Sequence, residues 1–150
     1  MTITSPFQHR DTWTGGAVLG AALVARYLFD TLMPPTDYRL RATLLSYAII
    51  VTCLTAGFSG AWRTHSIREG TLTSLSAAAI GAVLSIVGTA VLLAVWHDPA
   101  TLEAWSAGGG VQEAFLDVPL KVMMLGAVLG ISGAVAGKTA AAALRQTMVK

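Results

Sequence analysis

Residues 71–96 read TLTSLSAAAIGAVLSIVGTAVLLAVW, a run without a single charged side chain. At about 1.5 Å of rise per residue, roughly 20 residues cross a hydrocarbon layer of about 30 Å, so this stretch is long enough. It shows no sustained period-two alternation, which argues against a strand of a transmembrane barrel. Lipid cannot satisfy open backbone groups, and a spanning helix is the form that remains. Ala77, Gly81, Ser85 and Thr89 recur every fourth residue and fall on one helical face.

Three further runs of the same kind lie around it. The pattern predicts spans near 14–33, 38–62, 71–96 and 116–144, the last ending in a helical tail. Pro34 and Pro35 stop the first, and Thr36 or Asp37 is placed to cap the second. Arg63 to Gly70 (RTHSIREG) reads as a polar turn. Asp98-Pro99 opens a short segment near 99–107, with Leu102 and Trp105 about one turn apart, which reads as a surface helix. Gly108, Gly109 and Gly110 then read as a hinge. The expected fold class is all-α: one polytopic membrane domain over 1–150, a four-transmembrane-helix bundle with a short interfacial helix between helices 3 and 4.

Composition sets the same bounds. Of 150 residues, 54% are hydrophobic and 12% charged, and the mean hydropathy is +0.64. Soluble domains carry about a quarter charged residues, so a water-soluble enzyme is disfavoured and disorder is excluded. Net charge is +2 and the basic residues never cluster, which leaves no nucleic-acid footprint. Cys53 is the sole cysteine, so an internal disulfide or a multi-cysteine metal site is ruled out. The first apolar run starts only after Arg10 and Asp11, and the small-residue site Ala22-Leu23-Val24-Ala25 would cut through its middle; an uncleaved first helix is expected.

Orientation follows from the loops. The segment from His97 to Leu120 has no Lys or Arg, whereas Arg10, Arg63, Arg68, Lys138, Arg145 and Lys150 gather at the opposite end. Basic loops stay inside, so both termini are expected in the cytoplasm. Trp13 and Trp62 then mark the inner interface, and Trp96 and Trp105 the outer one.

Two features ask for a packing or chemical reason. Glycine in a helix costs about 1 kcal/mol relative to alanine in water. Yet Gly16 and Gly20 pair in helix 1, Gly81 sits in helix 3, and Gly126, Gly130, Gly133 and Gly137 form a stripe in helix 4. Such stripes bring backbones together, either within one bundle or against another subunit. Arg26 and Asp30, and likewise Asp117 and Lys121, are four residues apart within spans. Intramembrane charges are expensive and face partners or water. The expectation is an ion-pair cluster of Arg26, Asp30, Asp117 and Lys121, with Asp30 meeting Lys121 across helices 1 and 4. Thr52, Thr55 and Ser59 share a face that is either self-satisfied or lines a narrow wet path.

His9, His65 and His97 lie in tails or turns, away from where a buried haem or chlorophyll needs an axial ligand. They form no zinc spacing, and no nucleophile–base pair or phosphate loop is visible. No cofactor and no enzymatic activity are expected. The short polar loops and glycine-rich spans generically resemble small bacterial inner-membrane proteins, which implies the bacterial cytoplasmic membrane. The expected function is that of a non-enzymatic subunit, in contact with membrane lipids and a copy of itself or a larger membrane partner. The alternative is a small transporter or channel working as a dimer or higher oligomer.

Overall fold

A computed structural model describes residues 10–33, 39–97, 99–107 and 110–148. These residues form α1 (Arg10–Leu32), α2 (Arg39–Thr64), α3 (Ile67–Val95) and a nine-residue α4 (Pro99–Ala107). A last helix, α5, joins Gly110–Gln112, a π-helical turn Glu113–Asp117, and Val118–Met148. Four helices, α1, α2, α3 and α5, are long and apolar enough to cross a membrane. The fold is compatible with a transmembrane helical bundle.

The distribution of side chains explains why. Large apolar residues point outward: on α3, Val83, Val87, Val91 and Val95 are all exposed. The buried face of the same helix carries Ala78, Ala82, Ser85 and Thr89. In water each exposed valine forgoes about 25 cal/mol per Å² of burial, whereas hydrocarbon imposes no such cost. Helices in lipid gain instead from close backbone approach, which small inward residues allow.

α2 and α3 each pack on all three other long helices, while α1 and α5 stand at opposite corners with no close backbone approach among the described residues. The glycines set the two closest pairings. A Cβ on Gly16 would lie 2.6 Å from Ile80, one on Gly20 2.6 Å from Leu84, and one on Gly81 2.6 Å from Leu19. The segments GAVLG (16–20) and GAVLS (81–85) therefore pack on each other, in parallel. On the other side Gly57 meets the Gly130 backbone, Gly133 meets Leu54 and Gly137 meets Phe58, so α2 and α5 also run parallel. Gly126 and Gly130 seat Ala78 and Ser74 of antiparallel α3. Each glycine of the packing faces named from the sequence (Gly16, Gly20, Gly81, Gly126, Gly130, Gly133 and Gly137) thus faces another helix of the same chain.

The turn between α2 and α3 is tighter than RTHSIREG suggests. Only His65 and Ser66 lie between the helices. His65 takes the left-handed φ of 55° that commonly ends a helix. Ser66 then accepts a bond from the Glu69 amide at 3.4 Å, the first half of a Ser-x-x-Glu capping box. Gly70, read from sequence as the end of a turn, is a packing glycine instead: a Cβ there would sit 2.5 Å from the Gly57 carbonyl oxygen.

The π turn has a local cause. Pro119 has no N–H for the Phe115 carbonyl one turn back, and the Val118 amide bonds to Glu113, five residues back. This wider turn makes Glu113 helical, although the pattern predicted a span starting only at Leu116. The Pro34-Pro35 stop, the Thr36 or Asp37 cap, His9, Asp98 and two of the three hinge glycines (Gly108, Gly109) fall outside the described residues. Gly110 opens α5 with a φ of +72°.

Candidate functional site

Charged side chains meet at the end of the bundle away from the described chain ends. Asp30, one turn from the end of α1, receives Arg26 at 3.5 Å along its own helix and Arg41 of α2 at 2.7 Å. Arg26 also donates to Glu113 of the π turn at 3.1 Å. The Arg26 and Asp30 side chains are only 12% and 14% exposed. Arg41 adds a second bond, at 2.8 Å, to the Met33 carbonyl that α1 leaves open at its end. Two arginines and two acids form a neutral clasp linking α1, α2 and α5.

This differs from the expected cluster in half its members. Arg26 and Asp30 are present and paired, but Lys121 is exposed, and neither it nor Asp117 makes an ion pair among the described residues. Asp30 does not meet Lys121, because α1 and α5 occupy opposite corners. Arg41 and Glu113 take the places assigned to Lys121 and Asp117. Arg41 lies near the start of the span predicted at 38–62, and Glu113 lies just before the one predicted at 116–144; Pro119 is the signal that the helix reaches Glu113.

An aromatic anchor sits beside the clasp. Trp105 of α4 is buried and stacks on Tyr27 at 5.3 Å between ring centres. Its Nε1 donates to Thr31 Oγ1 at 2.9 Å, and the Thr31 hydroxyl donates to the Tyr27 carbonyl at 2.8 Å. The Arg26 guanidinium lies 5.3 Å from the Tyr27 ring centre. Trp105 therefore fixes α4 to α1, whereas Leu102, expected on the same face, is exposed. The hydroxyls of Tyr27, Ser85 and Thr89 are buried without a hydrogen-bond partner.

A second polar region lies at the opposite end, between α1 and α2. A cavity of about 510 Å³ is lined there by Arg10, Asp11, Thr14 and Val18 of α1 and by Thr52, Thr55, Ser59 and Arg63 of α2, among others. Asp11 pairs with Arg63 at 3.3 Å. Thr55 and Ser59, singled out from the sequence, do line this space. Their hydroxyls nevertheless donate to their own helix, to Val51 at 2.8 Å and Ala56 at 3.2 Å. A smaller cavity of about 270 Å³, lined by Ala22, Ala25, Phe29, Leu44 and their neighbours, continues along the same furrow beside Arg26 and Arg41.

Between the two ends the bundle is tied at one point. Ser74 Oγ lies 3.0 Å from both the Cys53 and Gly126 carbonyls, so one buried hydroxyl on α3 bridges α2 and α5. Cys53 itself is buried. His65 sits 2.6 Å from Arg145, holding the tail of α5 to the α2–α3 turn. No group of three or more His, Cys, Asp or Glu is arranged to hold a metal among the described residues. Comparison with known proteins finds no matching family model, no matching curated protein and no matching solved structure.

Proposed function

We propose that this chain is a small, non-enzymatic integral membrane subunit of the bacterial cytoplasmic membrane, with both termini in the cytoplasm. Its glycine faces assemble its own bundle, and its outward faces meet membrane lipids and either a second copy or a larger membrane partner. In this reading α4 lies at the outer interface, held there by Trp105. The observation that carries the proposal is the use of the glycines: Gly16, Gly20, Gly81, Gly126, Gly130, Gly133 and Gly137 all face helices of the same chain. That leaves the large apolar side chains, such as Val87 and Val128, as the surface any membrane partner must contact.

Counting subunits in native-membrane nanodiscs tests this. A defined oligomer or a co-purifying membrane protein is the expected result, and it should survive substitutions that leave the bundle intact. A uniform monomer with no partner would refute it. Gly130→Leu should unfold the protomer rather than simply separate subunits, because Ser74 occupies the space at Gly130.

One feature favours a second reading, a small transporter or channel acting as a dimer or higher oligomer. The hydroxyl-lined cavity and the smaller cavity beside Arg26 lie along one furrow. Flux through reconstituted vesicles that is abolished by Asp30→Asn in a folded protein would select this reading over the first.

A further inference from the structure

We infer that the cavity between α1 and α2 at the Arg10–Arg63 end is a binding site for one anionic phospholipid, its phosphate held by the two arginines. Three observations converge there. The space of about 510 Å³ lies between two helices long and apolar enough to span a membrane, and its lining residue Val18 is exposed on their outer surface, where acyl chains would run. Its mouth holds two arginines against one acid: Asp11 is matched by Arg63, and Arg10 makes no ion pair among the described residues. The charge left over favours an anion, and a guanidinium fork suits phosphate oxygens.

The lining also loses its charge with depth. Arginines at the mouth give way to Thr14 and Ser59 one turn further in, and deeper still to Gly15, Val18, Ala56, Thr52 and Thr55, where the Thr55 hydroxyl is bonded to its own helix. Trp13 and Trp62, next in sequence to these residues, mark a headgroup-level belt. A second copy of the chain fits this site less well. It would have to bring an acid to Arg10, and at this end the described acids are Asp11, already paired, and Glu69 on the far side of the α2–α3 turn. The site is independent of the subunit reading above, since a lipid can fill it in a monomer or an oligomer.

Native mass spectrometry of the full chain, released from nanodiscs of phosphatidylcholine with a minor share of phosphatidylglycerol, provides the test. One phosphatidylglycerol retained per chain, in preference to phosphatidylcholine, is expected. Arg10→Gln with Arg63→Gln should weaken retention about tenfold or more, the equivalent of about 1.4 kcal/mol. Arg68→Gln, a charge at the same end outside the cavity, should leave it unchanged. Val18→Trp fills the apolar part without touching the charges and should also displace the lipid, so the test does not rest on the arginine variants folding. Equal retention of both lipids, equal losses for Arg68→Gln and the double variant, or displacement of the lipid by inorganic phosphate would each overturn the assignment.

Discussion

Gly57→Ala isolates what a single hydrogen-to-methyl change does where two backbones meet. The added Cβ would lie 2.5 Å from the Gly130 carbonyl oxygen and 3.0 Å from its Cα. Neither atom belongs to a side chain that can rotate away, so α2 and α5 must part until the first distance reaches at least 3.4 Å. A gap of about 0.5–1 Å forfeits a quarter to a half of each dispersion contact, and overpacking of this kind costs about 1–3 kcal/mol. Alanine returns about 1 kcal/mol of helix propensity. The net expectation is a loss of up to about 2 kcal/mol, the difference of those two figures. Gly15→Ala is the matched comparison, because its Cβ would stand 3.2 Å from the Ala77 Cβ, a contact relieved by a shift of a few tenths of an ångström. Thermal unfolding followed by circular dichroism, in one detergent at fixed concentration, compares the two. A Gly57→Ala midpoint no lower than that of Gly15→Ala would refute the seam as described.

Other perturbations test separate parts of the molecule. Ser74→Ala removes the hydroxyl shared by the Cys53 and Gly126 carbonyls and should cost about 1 kcal/mol in the same unfolding assay. Arg26→Gln breaks two ion pairs of a largely buried clasp and should cost about 2 kcal/mol or more. A double-mutant cycle with Glu113→Gln should show coupling between the two positions, whereas one pairing Arg26→Gln with Lys121→Gln should show none. Gly110→Ala places a side chain at φ +72° in open space and should cost about 1–2 kcal/mol from backbone strain alone. Thr31→Val removes the acceptor of the Trp105 indole. With α4 loosened from α1, a shift in Trp105 emission, read in a variant lacking the other tryptophans, should accompany it.

Much of the fold was legible because it depends on periodicity and length. Apolar runs of membrane-crossing length, interrupted by Pro34-Pro35 and by RTHSIREG, locate four helices. Small residues at four-residue steps locate their contact faces. Spacing along one helix places a residue on a face but does not say which helix that face meets. Asp30 and Lys121 share a depth by residue count, yet α1 and α5 are diagonal, and the partners come from Arg41 and Glu113. Pro119 displaced the start of the last helix, because a missing amide acts on the turn before it rather than at its own position. Ser66 and Glu69 form a cap inside what reads as a polar loop, since the same residues serve loops and helix starts. Trp105 has the composition of an interfacial marker and is instead buried against Tyr27, a contact between positions far apart in the chain.

The parallel seating of α1 on α3 also bears on how the chain is made. In chain order the first hydrophobic segment meets the second before the third, although it packs far more closely on the third. The groove that receives Ile80 and Leu84 stays empty until the third segment has followed. Until then the first two segments are joined chiefly near their ends, through Arg41–Asp30 and Asp11–Arg63, and the long glycine seam of α1 forms only when the chain is more than half translated.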